Sequence, residues 1–174
     1  MQIYEALKKD HDKVKQLLNE LLALPEDNDV ARGALVSQIR DELIPHARAE
    51  ESVFYNSLRA VTATKDIAMH GYKEHLEAEA HLRMLQIKDK TDMDWKETAQ
   101  KLKDSLEQHI AEEEGPMFTA AQRVLTAEEA EMMTAAFERL KPEIKEEGLM
   151  KSTWDMMANL MPMRFKSSFR NLHR

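Results

Sequence analysis

The sequence contains no cysteine, which removes disulfides, thiolate metal sites and thiol nucleophiles from consideration and gives no sign of an oxidising compartment. Glycine is scarce, at 4 of 174 residues, proline stands at 5, and aromatic residues make up 6%. Beside 19 leucines there are 6 valines, 7 isoleucines and 8 threonines. The residues that build strands and hairpin turns are therefore in short supply, and a sheet fold is disfavoured. No run approaches the ~20 apolar residues of a membrane-spanning helix. Lys8 and Lys9 are not followed by the apolar stretch that a leader requires. The expectation is a soluble, cytoplasmic protein of one main domain.

Basic residues are in the minority overall, with 25 Lys and Arg against 32 Asp and Glu. Arg164, Lys166, Arg170 and Arg174 crowd the last eleven residues without an acid, so the preceding 163 carry 21 basic against 32 acidic groups. Such a body repels nucleic acid. The basic end is read first as plain solvation, with contact to RNA, an acidic partner or a membrane surface as the alternative.

What is abundant is apolar residues at three- and four-residue intervals, interrupted where turn chemistry clusters. This periodicity predicts serial helices over about Ile3–Leu24, Val30–Ala60, a third carrying Ile67, Leu82 and Leu85, and a fourth from Trp95 onward. Thr62 or Thr64 is placed to cap the third and Asp92 or Asp94 the fourth. Gly115-Pro116 bends the fourth, and Pro45, lacking a backbone donor, is placed to bend the second. Thr126 with Glu129 opens a fifth helix ending near Gly148, and a short last helix starts at Ser152. The expected fold is all-α, an up-and-down antiparallel four-helix bundle with an additional C-terminal helix or helices. The bundle and fifth helix occupy residues 1–147, followed by a Met-rich and basic extension over 148–174.

Each apolar stripe, continued at its own spacing, meets His or Glu where Leu belongs: His11 in the first helix, His46 and Glu50 in the second, His75 and Glu79 in the third, His109 and Glu113 in the fourth. Unpaired, these would cost several kcal/mol each, which a domain stable by roughly 5–15 kcal/mol could not bear. His46/Glu50, His75/Glu79 and His109/Glu113 are each four apart, so both members reach one site. The gaps between successive histidines, 35, 29 and 34 residues, put all four at similar height. Imidazole and carboxylate without thiolate suits iron, manganese or zinc, and this many ligands exceeds what one ion needs. Two metal ions are expected, with Glu50 and Glu113 placed to bridge them.

The order His11, His46-Ala-Arg-Ala-Glu50, His75, His109-Ile-Ala-Glu-Glu113 resembles the hemerythrin-like (HHE cation-binding) family over roughly residues 4–145. That resemblance implies two non-haem iron ions, oxo- or hydroxo-bridged, and a small ligand such as O2, NO or peroxide. The family's oxygen carriers have a fifth histidine four residues after the third; here Glu79 stands there, making it the candidate seventh ligand and tilting the chemistry toward peroxide, nitric oxide or iron handling. Three functions follow: a small-ligand binding protein, a peroxide-decomposing or NO-reducing enzyme, or a metal-stabilised interaction module.

Other groups have plainer readings. His70, five residues before His75 and so rotated about 140° from it, is expected outside the metal site, while His81 and His173 are expected at the surface. Glu51, Glu112 and Glu114 flank ligand positions but fall off the stripe, so they are read as surface acids or as support for the ligands, and Glu74 and Glu77 as solvated neighbours. Tyr4, Tyr55 and Tyr72 either pack the core or line the site. Residues 150–170 hold an apolar, Met-rich stretch suited to folding back, to a homodimer or to a partner.

Overall fold

The computed structural model describes residues 1–87 and 94–147. Among these residues there is no strand, and no helix is long and apolar enough to cross a membrane. Four long helices, α1 (Ile3–Leu22), α2 (Asp29–Glu50), α4 (Lys65–Ile87) and α5 (Trp95–Glu112), are joined by the one-turn α3 (Asn56–Arg59) and followed by α6 (Phe118–Val124) and α7 (Ala127–Glu147). Helix α1 packs on α2, α5 and α7; α2 packs on α4 and α7; α4 packs on α5. The predicted last helix from Ser152, the Met-rich extension and the Lys88–Asp92 break lie outside the described residues.

Local chemistry sets most of the ends. Asp94 Oδ1 accepts from the Lys96 and Glu97 amides at 2.9 and 3.2 Å, capping α5. Thr126 and Glu129 form the reciprocal box that starts α7, the Thr126 amide donating to Glu129 Oε2 at 2.8 Å and the Glu129 amide to Thr126 Oγ1 at 3.2 Å. Thr64 does not cap α4 with its side chain. Its hydroxyl is turned back to donate to the Leu58 carbonyl at 2.7 Å, tying the α3–α4 turn together.

The second and fourth predicted helices each contain a π-helical turn, over Glu51–Tyr55 and Glu113–Met117. The first directly follows the His46/Glu50 pair, and the second begins on Glu113 of the His109/Glu113 pair and contains Pro116. A π turn absorbs one extra residue and marks functional positions often enough to direct attention there.

The apolar interior is split in two. One cluster gathers Ile3, Leu7, Phe54, Leu58, Tyr72, Phe118 and Phe137, the other Val14, Leu18, Ile39, Leu43, Leu82, Leu102 and Leu106. On α1, His11 falls between Leu7 of the first and Val14 of the second, and His109 of α5 falls between Leu106 of the second and Met117 of the first, in the π turn that follows α5. A buried polar layer separates the two.

Candidate metal centre

Six buried side chains meet in that layer. Glu50 Oε2 lies 3.4 Å from both His46 Nε2 and His75 Nε2, and Glu113 Oε2 lies 3.4 Å from both His11 Nε2 and His109 Nε2. The imidazoles fall into two pairs: the His11 and His46 rings are 5.0 Å apart, the His75 and His109 rings 4.7 Å, with 3.1 Å between the Nε2 atoms of the latter. Each carboxylate therefore sits between one histidine of each pair. Both oxygens of Glu50, both of Glu113 and the Nε2 of His11 are buried without a hydrogen-bond partner, a set of orphaned donors to metal that ordinary cores do not leave. Glu50, His75 and His109 alone bring three ligand atoms within 4.8 Å of one another.

The outward nitrogens show why the inward ones are free to coordinate. Each Nδ1 faces a carboxylate: Glu114 on His11 at 2.9 Å, Asp10 on His46 at 3.2 Å, Glu51 on His75 at 3.1 Å and Glu74 on His109 at 2.8 Å. A carboxylate can only accept, so it fixes the proton on Nδ1 and leaves the Nε2 lone pair facing the centre. The four supports close a ring. Residues on or just after α1, α2, α4 and α5 hold the histidine of α2, α4, α5 and α1 respectively. Lys141 of α7 completes the His46 support, its Nζ lying 3.1 and 2.8 Å from the two Asp10 oxygens.

Ionisation follows from this packing. Burial and the neighbouring Glu113 charge push Glu50 up to about 8, while Glu113, despite its burial, is held low by the nearby Glu50 carboxyl and the His109 and His11 rings. In the metal-free protein the carboxylate pair thus keeps one proton between them. Burial works against a charged His109, but the adjacent Glu113 and Glu74 carboxylates outweigh it and raise the ring to about 10, so without metal its Nε2 also carries a proton, which a bound cation would displace.

Glu79, the candidate seventh ligand, is buried near this layer, but its oxygens are occupied elsewhere. Oε2 accepts from Arg48 Nη2, and Oε1 accepts from Arg83 Nε and Nη2 at 3.0 and 2.5 Å. Arg48 also donates to Glu51 Oε1 at 2.9 Å, so the arginines link Glu79 to the carboxylate behind His75. His70 is half exposed and outside the six, as the 140° rotation requires. His81 is part-buried, with an Nδ1 shielded from solvent, and not at the surface as expected; His173 lies outside the described residues.

Four site residues were not resolved by sequence pattern. Glu51 and Glu114 are supports for histidines, and Glu74, read as solvated, is buried behind His109. Tyr55 is the fourth: its hydroxyl lies 3.5 Å from both His75 Nε2 and His109 Nε2, and its ring stacks on His75. Burial, reinforced by the Glu113 and Glu50 charges, keeps the phenol protonated well past its ordinary range. Tyr72 instead donates to the Glu51 carbonyl at 2.9 Å, and Tyr4 packs on Phe118 in the apolar cluster.

Gly71 makes room for Tyr55. A Cβ there would stand 2.7 Å from Tyr55 Cζ and 2.8 Å from its hydroxyl oxygen. Gly71→Ala should gain up to ~1 kcal/mol of helix propensity yet lose about 1–3 kcal/mol to overpacking against a buried ring. The expected result is a net loss in chemical denaturation together with altered Tyr55 ultraviolet absorbance; a more stable variant with an unmoved tyrosine would refute it.

A hemerythrin HHE cation-binding domain is matched over residues 2–121, a span that contains all six converging side chains. A DNA nickase of Nostoc sp. (strain PCC 7120 / SAG 25.82 / UTEX 2576) is 28% identical over 147 residues, covering 84% of this chain but 41% of that protein. No solved structure matches.

Proposed function

The chain belongs to the hemerythrin HHE cation-binding family, and from that premise we propose that it holds two non-haem iron ions and binds a small ligand, O2, NO or peroxide, beside them. His11 and His46 would hold one ion and His75 and His109 the other, with Glu50 and Glu113 placed to share their charge with both. The observation that carries this reading is the convergence of four tautomer-fixed Nε2 atoms on two carboxylates whose oxygens have no other partner. The two bridging anions and the protonation partners supply the charge balance that a buried cation pair needs. The up-and-down antiparallel order belongs to the same proposal. It is supported by α1 and α4 passing from the first apolar cluster to the second, and by α2, and α5 continued through Met117, passing from the second to the first.

Space limits the ligand. A cavity of about 10 Å³, lined by the four histidines with Val14, Leu43, Leu106 and Ile110, adjoins the centre. That is about the volume one water needs, which favours a diatomic molecule or peroxide over a larger substrate. Iron, when bound, supplies the coordination position and the electrons. The chain's own contribution is to fix the histidine tautomers through Glu114, Asp10, Glu51 and Glu74, to exclude bulk water with Leu43, Leu106 and Val14, and to present the Tyr55 proton on the His75/His109 side only. Glu79 positions Arg48 and is not among the six.

Metal analysis and an optical spectrum of protein purified with iron test the reading. About two irons per chain are expected, against four His and two Glu, and less than about one after careful loading would overturn it. Glu79→Gln should keep full occupancy and an unchanged spectrum. Oxygen release on adding peroxide, above that of free iron, would move the protein from carrier to enzyme. Nicking belongs to a relative of which this chain spans less than half, and the net charge of -7 opposes DNA binding by the body. Supercoiled plasmid should therefore stay closed.

A further inference from the structure

A second group of metal-ligating side chains stands on the outside of the same two helices. His70, Glu74 and Glu112 bring three ligand atoms within 4.8 Å of one another. His70 Nε2 lies 3.4 Å from Glu74 Oε1 and 3.1 Å from Glu112 Oε2. His70-Gly-Tyr-Lys-Glu74 repeats the His-x-x-x-Glu spacing of the core pairs, so one turn of α4 stacks imidazole over carboxylate. Glu112, the last residue of α5, closes the third side, with its other oxygen held by Gln108 Nε2 at 3.0 Å. The arrangement is ill suited to hydrogen bonding alone. One ring nitrogen carries at most one proton, and two carboxylate oxygens face it. A cation among the three satisfies all of them, and the half-exposed His70 and part-exposed Glu112 leave the remaining positions to water.

We propose that His70, Glu74 and Glu112 form a separate surface site for a divalent first-row transition ion. The site touches the core through one residue. Glu74 offers Oε1 to the surface group and Oε2 to His109 Nδ1 at 2.8 Å. An ion on Oε1 draws electron density from the carboxylate, which weakens its pull on the His109 proton and alters that ring as a ligand. Filling the outer site thereby tunes the inner one without a change of fold, and it holds a cation one carboxylate away from the buried pair.

The probe is Co(II), which binds mixed nitrogen and oxygen sites more tightly than Mn(II) or Fe(II). Full-length protein, with whatever its core retains after purification, is dialysed to equilibrium against Co(II) alongside His70→Ala and Glu112→Gln. Both residues are more than a third exposed, so neither change threatens the core, and matching thermal melts confirm it. Wild type is expected to take up about one ion per chain more than His70→Ala, with binding at this site weakened roughly 10–100-fold in Glu112→Gln. The His70 ring signals in nitrogen-15 spectra should vanish by paramagnetic broadening at the same Co(II) concentration. All arms carry the same core, so their difference reads the surface site whatever the core holds. Equal uptake in wild type and His70→Ala, or His70 signals that survive saturation, overturns the proposal.

Discussion

Glu50→Gln is expected to leave a metal-free protein that is more stable than wild type and unable to hold the metal pair. The amide keeps the shape and can still donate to Glu113, but it does not ionise and is a poor bridge between cations. In the folded metal-free chain Glu50 titrates at about 8, above its ordinary 4.5, because burial and the Glu113 charge oppose its anion. The folded state therefore binds a proton that the unfolded state has released across that interval. Stability should fall as pH rises from about 4.5 to about 8, by a few kcal/mol in all. Glu50→Gln removes that contribution, so its advantage over wild type grows through the same window and levels off above it. His109, raised from 6.5 to about 10, adds a further loss of stability as pH rises through that higher range in both proteins. Denaturant midpoints of the two metal-free proteins at pH 5 and pH 8, together with iron content after identical loading, check the claim. A variant that still carries about two irons per chain, or that gains nothing at pH 8, would show that Glu50 does not bridge. Buried acid retained at a cost to the empty fold is the usual sign that function needs it.

The six converging residues were legible because each lies on an apolar stripe, and four of them, His46 with Glu50 and His109 with Glu113, share a helix with a partner four residues away, so periodicity brings them to one face. Tyr55 was not, for a definite reason. It is five residues after Glu50, which on an α-helix is about 140° off the face. The π turn over Glu51–Tyr55 makes the residue five on, not four on, return over the start. The carboxylates behind the histidines escaped for another reason: each serves a ring on a different helix, so its own helical position says nothing of its use. A local signal was present all the same. Asp10, Glu51, Glu74 and Glu114 are each immediate neighbours of His11, Glu50, His75 and Glu113. An acid directly beside a ligand in all four helices is a pattern that charge counting treats as a solvated face. Glu79 shows the converse limit. Spacing put it beside His75, but spacing could not show that Arg48, 31 residues earlier on a different helix, donates to its oxygen.

Arg48→Met should cost about 3–5 kcal/mol, the range for removing one partner from a buried ionic group. Arg48 is 1% exposed and joins Glu51, which is fully buried, to Glu79. Without the guanidinium, Glu79 retains Arg83, but Glu51 is left to the His75 ring and must accept more from it. The damage is therefore directed at one histidine. Metal held by His75 and His109 should weaken by roughly 10–100-fold, as for other changes behind a ligating imidazole, while the His11/His46 half keeps its supports. Adding Glu79→Met to Arg48→Met should restore part of the stability, because it removes a buried acid that the arginine had balanced, and should restore none of the metal affinity, because Glu51 remains uncompensated. Denaturation of the two single variants and the double variant gives the coupling between Arg48 and Glu79, and metal titration of the same set gives the second half. A loss under about 1 kcal/mol in Arg48→Met, below the range for a broken buried pair, or a double variant that regains both stability and metal, would mean that Arg48 serves the packing of α2 on α4 and not the orientation of His75.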